Sequence, residues 1–290
     1  MLTSRMWPVL GLLFNALVWG VSWWPLRQLQ AQGLHALWAT AFFLAIGVLV
    51  ITASRPAAWR IVATRPRLWA LALAAGATNA AFNWGVSAGD VVRVVLLFYL
   101  MPVWAALLAW WMLGERITPG ALMRVGLALA GAVLVLRPPA GGWPVFDGLA
   151  DWLGLAGGVG FAFTNVLLRQ MAHEQAPVRA LAMFSGGVAL PVALGLVLMW
   201  QGQVPAPPTP QAAWLWLALG MGLLFVASNM ALQYAAARLP VRITSVIMLT
   251  EVVFAAVTSV WWGGGSLSLP VLVGGALILS AAVLAARDKS

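Results

Sequence analysis

A single carboxylate, Glu251, stands inside the apolar run LTEVVFAAVTSVWW at 249–262. Read as part of one helix over 241–262, it lies about ten residues in, which at 1.5 Å per residue is roughly 15 Å deep in a bilayer. A charge at that depth costs about 2.5–3.5 kcal/mol by insertion scales, and intramembrane ionisable groups mark proton relays, ion paths or ligand counter-ions. Two jobs fit Glu251: carrying a proton, or pairing with the ammonium of a small solute. Packing is the alternative, with a neutral carboxyl hydrogen-bonded to a neighbouring helix.

Amides form a second constellation. Asn79 and Asn83 are spaced i and i+4, as are Asn229 and Gln233, so each pair shares one helix face. Asn15 and Trp19 have the same spacing in the first apolar segment. Such groups can bind a carboxylate or hydroxyl, or join helices by hydrogen bonds worth about 0.6–2 kcal/mol each. Tyr99 and Trp104 lie away from the interfaces where aromatic residues usually collect, and suit stacking on an apolar ligand or cation–π contact as well as packing. Pro102 removes a backbone hydrogen bond, which predicts a kink and a candidate hinge.

Other chemistry finds little support. His35 and His173 are the only histidines and stand far apart, so no H-E-x-x-H metal site exists. A nucleophilic Ser has no deep base beside it, and Asp90 has no second deep Asp. No metal or cofactor is expected, and without a P-loop the chain has no nucleotide engine. Cysteine is absent, which excludes disulfides and thiolate ligands. The net charge of +9 does not imply nucleic acid, because the Arg residues are dispersed between apolar segments and Lys289 is the only Lys. Glu115 with Arg116 reads as a solvated surface pair, and Asp90 with Arg93 at i and i+3 as a rim ion pair that could guide an anion.

The elements that must position these groups are membrane helices. The chain is 63% hydrophobic and 8% charged, with mean hydropathy +0.94, whereas soluble domains are about a quarter charged. Gly, Pro and Arg clusters divide it into ten segments near 7–27, 34–53, 67–88, 91–113, 119–137, 149–170, 178–200, 211–236, 241–262 and 268–286. The first is longer than a signal-peptide core and lacks a cleavage motif, so it is expected to remain. With the N-terminus inside, 13 of the 16 Lys and Arg residues fall at cytoplasmic ends and Arg27, Arg93 and Arg137 outside. Both termini are then cytoplasmic. Trp23, Trp24, Trp69, Trp110, Trp111, Trp261 and Trp262 fall near segment ends and read as interfacial anchors.

The sequence also repeats. A shift of 150 residues lays MPVWAALLAWWMLGERIT (101–118) on EVVFAAVTSVWWGGGSLS (251–268), Asn15 on Asn165, Asn79 on Asn229, Asn83 on Gln233, and Met101 on Glu251. Five segments plus five is an odd number per copy, so the second copy enters the membrane from the opposite face. The expected fold is an all-α integral membrane protein of ten transmembrane helices in two inverted repeats, 1–140 and 141–290. Such pairs place a site near the midplane between the repeats and permit alternating access.

The segments YLMPVWAALLAWWMLGERIT, LTEVVFAAVTSVWW and FNALVWGVSWW resemble the drug/metabolite transporter superfamily, specifically its ten-helix EamA-type members, over essentially the whole chain. The resemblance implies a central cavity lined by helices from both halves, and peripheral packing of a pair from each half. The sequence departs from that pattern where Val252 replaces the Pro that usually follows the ninth-helix Glu and where Gly264-Gly265 replace the closing Gly-Glu. The expected function is secondary transport in a bacterial-type inner membrane, exporting small amphipathic metabolites such as amino acids. Its partners are the substrate, the bilayer and protons, with a homodimer left open. Export of cationic or aromatic drugs, a lipid flippase and a structural membrane subunit are the alternatives. The candidate substrate or coupling residues are Glu251, Asn15, Trp19, Asn79, Asn83, Tyr99, Trp104, Asn165, Asn229 and Gln233.

Overall fold

The computed structural model describes residues 2–114, 116, 118–138, 142–209, 212–236, 238–239, 244, 247–263, 265 and 267–287, without the side chains of 2–5, 113, 212–213, 233, 236 and 285–287. Among these residues the structure is helical and holds no strand. The helices in chain order are α1 (Leu2–Val21), α2 (Trp23–Ala31), α3 (Ala36–Ser54), α4 (Ala58–Thr64), α5 (Pro66–Ala88), α6 (Val91–Phe98) and α7 (Met101–Leu113). They continue with α8 (Pro119–Val135), α9 (Leu149–Gln170), α10 (Ala176–Trp200), α11 (Ala212–Ala236), α12 (Thr250–Trp261) and α13 (Leu269–Arg287).

Six helical stretches are long and apolar enough to cross a membrane: Met6–Ala31, Ala36–Ser54, Val91–Met112, Leu149–Gln170, Ala176–Trp200 and Trp214–Leu232. Three shorter apolar helices, Pro119–Val135, Thr250–Trp261 and Leu269–Leu284, accompany them. At 23 residues α5 is as long, but Asn79 and Asn83 dilute its apolar run.

These helices pack through small residues, the usual means of close approach where lipid is as apolar as Leu. α5 lies against α9 and α10, α3 against α10 and α11, α1 against α11 and α12, α6 and α7 against α9, and α8 against α13. At the α5–α10 crossing a Cβ on Gly76 would stand 2.4 Å from the Gly186 carbonyl oxygen, and one on Gly186 would stand 1.8 Å from that of Ala72. Gly131 on α8 and Gly274 on α13 make a reciprocal contact, each meeting the other's carbonyl oxygen at 2.5–2.6 Å from its missing Cβ.

Most of the Trp anchors expected from sequence are exposed, including Trp69, Trp110, Trp111, Trp261 and Trp262. Trp23 is a correction. It is buried, and its indole Nε1 donates to Thr258 Oγ1 of α12 at 3.1 Å. At the start of α3, His35 caps the helix: its Nδ1 accepts from the backbone N–H of Leu37 at 3.3 Å, and its ring meets Trp84 edge-on at 5.1 Å.

Two measurements test this packing. Gly186→Ala is expected to lower stability by about 1–3 kcal/mol, because rigid backbone stands where the methyl must go. Gly126→Ala, where nothing lies within 4 Å, leaves the detergent-solubilised melting temperature unchanged. The second concerns acid. Half-burial pushes the His35 imidazole below its ordinary value of about 6.5, and capping requires an unprotonated Nδ1. The unfolded chain therefore binds the extra proton first, so the His35 contribution is full above about pH 6.5 and is lost as pH falls below it. Melting curves from pH 8 to 5 are expected to show a smaller acid loss for His35→Asn, which caps without titrating.

Candidate functional site

Two helices break within the bundle. α6 ends at Phe98 and α7 begins at Met101, leaving Tyr99 and Leu100 between them. The chain turns tightly there, with the Val103 N–H donating to the Leu100 carbonyl at 2.9 Å. Pro102 falls in the first turn of α7. It thus follows directly on the interruption of the Val91–Met112 stretch, where a first-turn residue has no intrahelical partner for its N–H to lose.

Within the segment read as 241–262, Thr244, Ile247 and Met248 are helical, Leu249 is a turn, and α12 (Thr250–Trp261) places Glu251 in the first turn after that interruption. Residues 240–243 and 245–246 lie outside the described residues. The turn into α12 repeats the geometry of α7: the Val252 N–H donates to the Leu249 carbonyl at 3.1 Å. At this position the carboxyl has the positive end of the helix dipole beside it.

The two breaks meet. Tyr99 Oη donates to Glu251 Oε2 at 3.2 Å, and both side chains are buried. α1 presses on the same point, where a Cβ on Gly20 would stand 2.6 Å from the Glu251 carbonyl oxygen and 2.8 Å from Phe254 Cβ.

One residue earlier on α1, Trp19 lines a cavity of about 360 Å³. Asn79 from α5, Asn229 from α11 and Arg179 from α10 share its wall. Asn79 Nδ2 donates to the Ala75 carbonyl at 2.8 Å, using one of the four hydrogen-bonding positions of the amide. Rings connect this cavity to the helix breaks. Trp19 meets Phe225 at 4.6 Å and Phe82 at 6.3 Å; Phe82 meets Phe98 at 4.8 Å, and Phe98 meets Tyr99 at 5.8 Å. Phe82, Phe98, Phe225 and Arg179 were not singled out by sequence, although the position of Phe82 beside Asn83 was a usable signal.

The remaining candidates divide. Asn15 and Asn83 are fully buried, and neither end of either amide has a hydrogen-bond partner. Asn83 therefore parts from Asn79, which faces the cavity. Asn165 is exposed on α9, and Trp104 keeps a buried indole N–H without a partner. The Gln233 side chain and Glu115 lie outside the described residues.

Arg93 is a further correction. Asp90 does not form the expected side-chain pair with it but caps α6, accepting from the Arg93 backbone N–H at 3.0 Å. The Arg93 guanidinium reaches Asp151 on α9 at 2.6–2.8 Å and the Val145 carbonyl at 2.6 Å. Asp151 is buried and also accepts from the Asp147 N–H, so a long-range partner wins over the local i, i+3 one.

The model of the EamA-like transporter family matches residues 6–137 and again residues 148–287. The chain belongs to that family. It is therefore a multi-pass membrane transporter and not an enzyme. An uncharacterized transporter of Archaeoglobus fulgidus is 26% identical over 212 residues, 73% of each chain. A solved crystal structure with 20% identity superposes with a TM-score of 0.60 over 97% of this chain and 96% of that one, which shows a shared fold.

Breaking the Arg93–Asp151 pair of this EamA-like transporter is expected to cost about 3–5 kcal/mol, since one charge is left buried alone. Asp151→Asn should lower the melting temperature sharply, and the double variant Arg93→Met/Asp151→Leu should recover much of the loss.

Proposed function

We propose that this EamA-like protein is a secondary active exporter of small amphipathic metabolites, with amino acids and related compounds the leading class. The supporting observation is the cavity of about 360 Å³ in which Trp19, Asn79 and Asn229 converge from α1, α5 and α11. Asn79 and Asn229 are the amides that the 150-residue shift lays on each other, so the two halves contribute matching groups to one wall.

The architecture in this reading is ten spans in two inverted five-helix repeats, 1–140 and 141–290, with both termini cytoplasmic in a bacterial-type inner membrane. The two separate family matches support the duplication. So does the packing: exchanging the halves turns α5–α9 into α11–α1, α5–α10 into α11–α3, and α6/α7–α9 into α12–α1, while α3–α10 and α8–α13 map onto themselves. Alternating access follows from such symmetry.

Glu251 is the coupling residue in this scheme, and Tyr99 holds its carboxyl. Substrate against Trp19 shifts α1, and Gly20 transmits the shift to the backbone of Glu251. The ring contacts from Trp19 through Phe82 and Phe98 to Tyr99 give a second packed connection. The amides take the substrate's carboxylate or hydroxyl, and Trp19 and Phe225 take its apolar part.

Counterflow of amino acids and organic cations in proteoliposomes tests the reading. At least one amphipathic solute is expected to exchange, and Glu251→Gln is expected to abolish uphill transport driven by a pH gradient. Full transport with an unchanged pH profile in Glu251→Gln would remove Glu251 from the mechanism, and a panel in which nothing moves would remove the reading itself.

A further inference from the structure

A second cavity, of about 270 Å³, lies between α3, α10 and α11. Its rim includes Val50 and Met230, apolar side chains 45% and 65% exposed on helices apolar enough to cross a membrane. Such side chains face lipid tails. Val50 lies four residues before the end of α3 and Phe184 eight residues after the start of α10, which at 1.5 Å per residue is about 6 and 12 Å from the helix ends. The gap thus opens within the hydrocarbon layer, and Ser54 and Arg55 on its wall stand at headgroup level. It adjoins the central cavity: Ala176, Ala180, Phe184 and Asn229 border both. Gly47 lies on the wall of the side cavity with the Phe184 ring packed close against it, where a Cβ would stand 2.9–3.0 Å from the ring.

The charges along this path have one sign. Among the described residues, Arg55 in the side cavity and Arg179 in the central one are the only ionisable side chains lining either, and no carboxylate lines them. Arg179 makes only long contacts, 3.4 and 3.5 Å, to the carbonyls of Met171 and Ala172. A cationic head would meet repulsion at both positions. An anionic head meets Arg55, then Arg179, then the amides of Asn229 and Asn79, while an apolar body slides past Phe184 towards Phe225 and Trp19.

We infer that the transported substrate is an amphipathic anion, an apolar or aromatic body bearing one carboxylate, admitted sideways from the lipid leaflet at the Arg55 end through the gap between α3, α10 and α11. This rests on the transport reading above and narrows its substrate class. By the charge-based orientation, that leaflet is the cytoplasmic one.

The test uses N-decanoyl-tryptophan, a lipid-partitioning anion, in proteoliposomes of the full chain. The wild type is expected to move it saturably, with decyltrimethylammonium at equal concentration causing no inhibition. Val50→Trp, on the exposed rim where folding is not at risk, and Gly47→Leu, inside the gap, are each expected to slow it about tenfold. Water-soluble solutes found by counterflow have no need of the lipid-facing gap, and Val50→Trp leaves them within about twofold of wild type. Inhibition by the cation, undiminished movement in both variants, equal loss of both solute types in Val50→Trp, or movement of a diacyl phospholipid in place of the probe would overturn the inference. Wild-type counterflow of water-soluble solutes with no movement of decanoyl-tryptophan removes this inference alone. Absence of all counterflow removes the transport reading beneath it.

Discussion

Lipid offers no partner to a backbone N–H or carbonyl, so a helix can be interrupted inside a bilayer only where protein covers the interruption. The interruptions at Tyr99–Leu100 and at Leu249 obey that constraint, and much of the bundle is arranged around them. At the first, Tyr99 and Leu100 are buried and α9 lies over the end of α6, with Gly158 so close that a Cβ would stand 2.5 Å from the Phe98 carbonyl oxygen. At the second, α1 covers the start of α12 through Gly20. The phenolic hydroxyl of one break then satisfies the carboxyl of the other. Glycine, the least specific residue in composition, is what lets these helices approach.

Around the breaks the polar groups are few and unevenly used. Asn79 and Asn229 face a cavity, whereas Asn15 and Asn83 are sealed in the interior with unpaired amides. A buried unpaired amide is costly, on the order of 1–3 kcal/mol.

Much of this was legible in the sequence because it depended on composition and local spacing. The apolar segments, the family motifs and the exposure of Trp110, Trp111, Trp261 and Trp262 all follow from patterns a single chain displays. What escaped was tertiary choice. Arg93 passed over Asp90 at i−3 for Asp151, 58 residues away, since burial rewards a bidentate partner that brings its own backbone support. Pro102 was legible as a disruption but not as a helix start, because whether a proline bends or begins a helix depends on what precedes it in space. Trp23 looked like an anchor and is a packing residue, because its indole N–H finds Thr258, 235 residues away, which no local pattern displays.

The crossing of α8 and α13 at Gly131 and Gly274 has a mechanical consequence. The two backbones touch at the glycines, and Ile278 of α13 and Leu134 and Val135 of α8 close in around the contact. Sliding would drive a carbonyl into a neighbouring residue, and rotation would press those side chains onto the facing backbone. The crossing therefore rivets the last helix of one matched region to the last helix of the other, a fixed seam in the bundle.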